Sequence, residues 1–147
     1  MKLSTRVRYG LRALIELASL QQDSPVLLDL VAKRQGISRK YLDAIFARLK
    51  AAGIVTSSRG AGGGFLMAMD PKKVTVLDVY VGLEGPVTLV DCKTQDRHCG
   101  REATCPTKDV WDDISTLMAD HMKSLTISDL VEHKRIKEEK SSLMFYI

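Results

Sequence analysis

Between Leu28 and Leu66 the apolar residues recur first at the period of a helix and then at that of a strand. The switch between the two organises the rest of the chain. Leu28, Val31 and Ala32 keep helical spacing over Leu28–Arg34. Gly36-Ile37-Ser38 then supplies the short turn of a helix-turn-helix unit, with Ser38 placed as an N-cap. Beyond it Leu42, Ile45, Phe46 and Leu49 form one stripe, while Arg39, Lys40, Asp43, Ala44, Arg48 and Lys50 lie largely on other faces. Gly53 suits a left-handed stop. Strand patterns follow at Ile54–Ser58 and from Phe65 to Met67, on either side of Arg59-Gly60-Ala61-Gly62-Gly63-Gly64. Helix, turn, helix and hairpin make the layout of a winged helix, whose second helix suits the major groove and whose hairpin tip suits the backbone or minor groove. A phosphate-binding loop would need Gly-Lys-Ser/Thr and a following helix, and Asp70-Pro71 interrupts instead. The glycines of the tip, Gly60, Gly62 and Gly63 among them, allow close approach, and Arg59 brings charge to it.

The flanking patterns complete a small helical domain. Met1–Leu20 reads as a first helix capped at Ser4 or Thr5, with Val7, Leu11, Leu14, Ile15 and Ala18 on one face. Arg6, Arg8, Tyr9 and Arg12 project elsewhere, as phosphate donors or, with more weight at Arg12, as a solvated face. Val26-Leu27 fits a short strand beside the wing. Thr75-Val76-Leu77-Asp78 has the signature of a helix start, followed by Val79, Tyr80 and Leu83 and stopped at Gly85-Pro86. Pro106 opens a long helix to about Ser124, whose stripe of Val110, Trp111, Ile114, Leu117, Met118 and Leu125 is too broad for a core already closed. Pairing with the same helix of a second copy, as a two-fold homodimer, would cover it. Trp111 reads as packing and His121 as an ordinary partly buried histidine. Thr126-Ile127-Ser128-Asp129 starts a short helix through Val131, then a charged, solvated stretch from His133 to Lys140 and an apolar end from Leu143. The expected fold is mainly α with a small β-hairpin: a winged helix-turn-helix core at 1–85, a cysteine loop at 86–106, a dimerisation helix with a short packing helix at 107–133, and a tail at 134–147.

Composition narrows the function. A chain of 147 residues with 45% hydrophobic content holds one main core. Its net charge of +4 is compatible with nucleic acid, and the distribution says more. Lys2, Arg6, Arg8, Arg12, Lys33, Arg34, Arg39, Lys40, Arg48, Lys50 and Arg59 crowd the first 60 residues against only Glu16, Asp23, Asp29 and Asp43. No run spans a bilayer and no signal-peptide core opens the chain, so a cytoplasmic protein without membrane contact is expected. Its three cysteines, Cys92, Cys99 and Cys105, are an odd number in one polar segment, which argues against a disulfide framework. Soft thiolates suit an iron–sulfur cluster or zinc, although zinc would usually take a fourth ligand at Cys-x-x-Cys spacing, which is lacking. The plain alternative is three free surface thiols. No nucleophile, base and orienting acid form a constellation, so an enzyme is not expected.

Over residues 1–133 the chain closely resembles the iron–sulfur cluster regulators of the IscR and NsrR kind, in the Rrf-type winged-helix family. The resemblance rests on Met1-Lys2-Leu3-Ser4 with Arg8-Tyr9, on Gln35-Gly36-Ile37-Ser38 with Tyr41-Leu42, on Ser58-Arg59-Gly60-Ala61-Gly62-Gly63-Gly64-Phe65, and on three cysteines ahead of a Trp-bearing helix. It implies a dimeric transcription regulator whose cluster, [2Fe-2S] or [4Fe-4S], alters its affinity for a pseudo-palindromic double-stranded DNA operator. It implies recognition-helix contacts from Lys40, Tyr41 and Asp43, a minor-groove contact from Arg59, and cluster ligation by Cys92, Cys99 and Cys105. Two positions depart from the pattern. Lys108 stands three residues after the last cysteine, where IscR-like proteins carry a histidine. Arg8 stands where NsrR-like proteins place an aspartate that reaches the partner's cluster. The interval from Cys92 to Cys99 is also one residue longer than usual.

The expected function is therefore a cluster-controlled transcriptional regulator, a repressor of iron–sulfur assembly or related stress genes. One rival is a repressor of the same fold that senses through thiol oxidation or a protein partner. The other is a small iron–sulfur electron carrier, which would need neither a basic helix nor a wing.

Overall fold

The structure is a computed structural model that describes residues 3–21, 24–60, 62–90 and 99–144. Met1, Lys2, Ala61, Asp91, Cys92, His98 and the last residues Phe145–Ile147 lie outside the described residues, as do the side chains of Leu143 and Met144. The helices are α1 (Thr5–Leu20), α2 (Leu28–Gln35), α3 (Arg39–Ala51), α4 (Val76–Glu84), α5 (Pro106–Lys123) and α6 (Ile127–Met144). Strands β1 (Val55–Ser58) and β2 (Gly64–Met67) form an antiparallel hairpin in which Val55 faces Met67 and Ser58 faces Gly64.

Local chemistry explains where these elements begin and end. The Ser4 hydroxyl accepts from the Val7 N–H at 3.1 Å to cap α1. Gly36, at φ 62°, provides the left-handed residue that ends α2 without a Cβ penalty. The Ser38 hydroxyl then accepts from the Tyr41 N–H at 3.3 Å and starts α3. Thr75 and Asp78 cap one another reciprocally at the start of α4, and Thr126 and Asp129 repeat the arrangement before α6.

The core lies among α1, α2, α3, α4 and the base of the hairpin. Leu42, Ile45, Phe46 and Leu49 of α3 are buried, as their spacing predicts, together with Leu28 and Val31 of α2 and Val79 and Leu83 of α4. The Phe46 ring meets Phe65 of β2 edge-on, with centroids 4.9 Å apart, which fixes the wing to the second helix of the motif. Val26 joins the sheet through one bridge to Phe65, with N–H···O bonds of 2.9 and 2.8 Å. The partner strand must come so close there that a Cβ on Gly64 would lie 2.5 Å from the Val26 carbonyl oxygen. Leu27, expected to extend that strand, is instead 61% exposed.

Three expectations about helix faces are corrected. The buried face of α1 runs through Val7, Gly10, Ala13, Leu14, Glu16 and Leu17, so it is rotated away from Leu11, Ile15 and Ala18, which are only partly covered. Gly10 permits this, since a Cβ there would meet the Leu83 side chain at 2.5 Å. His121 is exposed rather than partly buried. The helix expected to end near Val131 continues to Met144, so the charged stretch His133–Lys140 is helical. Its charges are spaced to pair along the helix, with Arg135 bonded to both Glu132 and Glu139. Among the described residues, no helix is long and apolar enough to cross a membrane.

Candidate functional site

The face of α3 opposite its buried stripe presents Lys40, Asp43, Ala44 and Ala47 to solvent. Ala44 is among the residues the sequence places off the buried stripe; Ala47 is not, although its helical phase opposite Leu42, Ile45 and Leu49 marks it. Two short side chains beside Lys40 leave the helix surface low enough to enter a groove. Ser38 sits at the exposed N-terminal end of this strip as the cap. Tyr41 is half-buried and leans edge-on against Tyr9 of α1, ring centroids 6.0 Å apart. Arg39 is committed internally: it pairs with Asp43 one turn on and with Asp29 of α2 at 3.2 Å, so it braces the two helices of the motif. That pairing holds the Arg39 guanidinium firmly charged, through the Asp43 hydrogen bond first.

At the wing, Arg59, Gly60 and Gly62 are exposed, and Gly63 closes the turn by donating its N–H to the Gly60 carbonyl at 2.9 Å. Gly60 occupies φ 105°, which only glycine adopts readily. Gly62 needs no such freedom and a Cβ on it would meet nothing within 4 Å, so the fold itself does not demand glycine there. Behind the strip, Lys50 bonds Ser57 and ties α3 to β1. The α1 arginines divide. Arg6 donates to the Leu83 carbonyl at 3.3 Å and pairs with Glu84, capping the end of α4 rather than standing free for a phosphate. Arg12 is likewise engaged, on Gln35, whereas Arg8 is exposed beside the Tyr9 ring.

The cysteine segment enters the described residues at Cys99, which is exposed, and reaches α5 at Cys105, which is half-buried. Cys105 is the N-cap residue of α5. Its sulfur shares a hydrogen bond with the Thr107 hydroxyl at 3.3 Å. That bond, joined by the backbone N–H groups of Lys108 and Thr107, holds the thiol below its ordinary range, as a helix N-terminus does. An open depression of about 670 Å³ lies beside it, lined by Glu102, Thr104, Pro106, Lys108 and Asp109. Lys108 is turned onto Asp112 at 2.7 Å, which raises its pKa and keeps it a cation. Among the described residues no three Cys, His, Asp or Glu side chains converge as a complete metal set; Cys92 lies outside them. The donor chemistry nevertheless fits a thiolate-ligated group, since Cys105 is biased toward the anion that soft metals bind.

A helix-turn-helix with an exposed strip on its second helix, a two-stranded wing fixed to that helix and two further C-terminal helices define a winged-helix transcriptional regulator. The chain belongs to the Rrf2 family, whose model, described as an iron-dependent transcriptional regulator, matches residues 3–133. It is 37% identical over 131 residues to the protein rrf2 of Nitratidesulfovibrio vulgaris, covering 89% of this chain and 87% of the relative. It is 33% identical over 138 residues to the HTH-type transcriptional regulator IscR of Yersinia enterocolitica, covering 94% and 84%. Among solved structures it resembles CymR, the global cysteine regulator of B. subtilis, with a TM-score of 0.74 at 32% identity, covering 90% of this chain and 98% of that one. It resembles T. potens IscR equally, with a TM-score of 0.74 at 32% identity, covering 91% and 88%. The chain is thus a transcriptional regulator and not an enzyme.

Proposed function

We propose that this protein is a homodimeric DNA-binding regulator that reads a pseudo-palindromic duplex and changes its affinity with the state of an iron–sulfur cluster held by Cys92, Cys99 and Cys105. In this reading residues 1–85 bind DNA, 86–106 hold the cluster, and the arm from 107 to 133 joins two copies, with 134–147 following it. The observation that carries it is the position of Cys105: an anion-stabilised thiol at the N-terminus of α5, where the chain passes from the DNA-reading core to its arm. A cluster would supply a redox-sensitive and loss-sensitive crosslink between these parts. Lys40 and Tyr41 at the start of α3, with Ser38, Arg39 and Asp43 around them, present the helix to the major groove. Arg59, with Gly60, Gly62 and Gly63, presents the wing to the minor groove. Lys108, paired with Asp112, is not the fourth ligand; a nearby carboxylate, the partner subunit or solvent oxygen completes the site and exchanges more readily than thiolate.

One observation favours a second reading. A lowered Cys105 thiol and an exposed Cys99 suit oxidation chemistry as well as ligation, and the similar CymR from Staphylococcus aureus has a structure in an oxidized form. Anaerobic purification separates the two. A bound cluster gives visible charge-transfer absorption that is lost on Cys105→Ala, together with a shift in duplex affinity when the cluster is removed. A colourless protein whose duplex affinity follows thiol oxidation alone would establish the second reading.

A further inference from the structure

Among the described residues Glu16 is the one charged side chain inside the core, 2% exposed, and no face-pattern argument accounts for it. Its carboxylate is fully engaged. Lys134 of α6 donates to Oε2 at 2.8 Å, Gln35 of α2 donates to the same oxygen at 2.7 Å, and Arg34 reaches Oε1 at 3.3 Å. Gln35 is held from the other side too: Arg12 donates to its side-chain oxygen at 3.1 Å and to its backbone carbonyl at 2.7 Å. Gln35 is the last residue of α2, directly before Gly36 and the turn that sets α3. Lys134 lies two turns along α6 from Ile127, which is fully buried, so the helix is anchored on one face by an apolar contact and a charged one.

The chemistry of this chain differs from the packing around it. Apolar contacts between helices tolerate small slides, whereas a buried carboxylate keeps its stabilisation only while each donor remains in place and direction. Well-packed apolar residues could stabilise such a site as well or better, so a buried ionic link is weak as cement and informative as a positional constraint. A displacement of α6 that drew Lys134 away would leave Glu16 to Gln35 and Arg34, the two residues that adjoin the turn. We infer that Lys134, Glu16 and Gln35 form a positioning link through which α6 sets the angle of α3 relative to the rest of the core. They are positioning residues for DNA recognition and make no contact with the duplex. The inference rests on the reading of α3 as the DNA-reading helix.

The experiment uses the full-length protein and Lys134→Met, with Lys134→Arg as the conservative control and Glu16→Gln as a second route to the same break. A duplex selected by the wild type from a randomised pool is compared with an unrelated duplex of equal length, across a salt series. Lys134→Met should lower the ratio of selected to unrelated affinity at least fivefold with the salt slope unchanged, and Lys134→Arg should restore it. Glu16→Gln combined with Lys134→Met should lose no more than the larger single effect. An unchanged ratio in folded Lys134→Met, or a parallel loss on both duplexes, would overturn the link. Hydrogen exchange decides the coupling without DNA. The amides of Ile37 and Tyr41, bonded at the turn, should exchange faster in Lys134→Met while those of α4 stay protected. Equal acceleration throughout the core would reduce the link to plain stability and overturn the proposal. Should the wild type retard no duplex even at low salt, the DNA-binding reading fails by itself, and the exchange pattern still judges the link.

Discussion

Helices α1 and α5 are of similar length, 16 and 18 residues, and each carries an apolar stripe, but their surroundings differ. The first buries six residues, from Val7 to Leu17, against α2, α3, α4 and α6. The second buries none: Val110 is 49% exposed, Trp111 39% and Leu117 69%. A stripe that closes a core in one case is left largely uncovered in the other, where Ile114 and Met118 are half-buried and Val110, Trp111 and Leu117 are exposed. The homodimer proposed above accounts for the difference, since a helix shared between two copies is uncovered when one copy is considered alone. It also separates two kinds of stability, one intrinsic to the chain and one dependent on its concentration.

The sharpest way to break that comparison is to charge the uncovered stripe. Leu117→Asp should convert a dimer into a folded monomer on sizing, because an unpaired carboxylate in an apolar seam costs several kcal/mol, about 3–5 by analogy with broken buried pairs. Its circular dichroism should stay that of the wild type. An unchanged mass would place the partner face elsewhere and make the exposure of α5 uninformative. The next contrast is between two aromatic truncations. Phe46→Ala should lower the unfolding free energy by about 3–5 kcal/mol at any protein concentration. Trp111→Ala should act mainly through assembly, with a loss that grows on dilution. Equal, concentration-independent losses would erase the distinction between the two regions.

A smaller effect tests the wing against the body. Arg59→Ala should cost about 1–3 kcal/mol of affinity for the best duplex, by loss of a groove contact, while Lys50→Ala should chiefly reduce the salt slope. Gly62→Ala should keep stability and lose affinity, since a Cβ there meets open space in the free protein, whereas Gly64→Ala should lose stability through its clash with Val26. If Gly62→Ala bound like the wild type, the tip would not approach DNA closely.

What could be read from the sequence follows the same division. The helix-turn-helix was legible because its signals are local: Gly36 and Ser38 at the turn, one uninterrupted stripe on α3, and a strand period after Gly53. The buried face of α1 is hard to read because Gly10 and Ala13 carry little hydrophobic signal, yet the missing side chain of Gly10 lets Leu83 of α4 and Ile45 of α3 approach. Glu16 could not be recognised as buried, since its stabilising partner Lys134 lies 118 residues away. The extent of α6 was missed for a related reason: its polarity suggested a solvated tail, while capping at Thr126 and pairing around Arg135 sustain a helix without an apolar stripe. Lys108 and Arg8 could be seen to depart from the family pattern, but the pairing of Lys108 with Asp112 needed coordinates. The cysteines illustrate the limit of motif reading. Composition marked Cys105 as chemically unusual, and only the start of α5 beneath it supplies the cause.

The smallest expected effect is also the most discriminating between buried and exposed charge. Burial pushes the Glu16 carboxyl up, but the hydrogen bond and charge of Lys134, with Gln35 and Arg34, outweigh it and leave the pKa below the ordinary 4.5. A carboxyl depressed in the folded state favours folding wherever it is ionised in both states. Its contribution is therefore complete above the ordinary glutamate range and is lost as pH falls through the lower, folded value. On α6 the exposed carboxyls of Asp129 and Glu132 are depressed as well, by Thr126 and by Arg135 respectively, so they add to the same acid limb. Salt distinguishes Glu132 from Glu16, because an exposed ion pair is screened within a Debye length and a buried one far less, whereas Asp129, bonded to the uncharged Thr126, is little affected by salt. Denaturant titrations between pH 6 and 3, at low and high salt, should show an acid loss with a salt-resistant part that Glu16→Gln reduces and a salt-sensitive part that it leaves. An acid limb abolished entirely by salt in the wild type would mean that Glu16 is not held as a buried charge, and the contrast between α1 and the exposed arm would then rest on apolar packing alone.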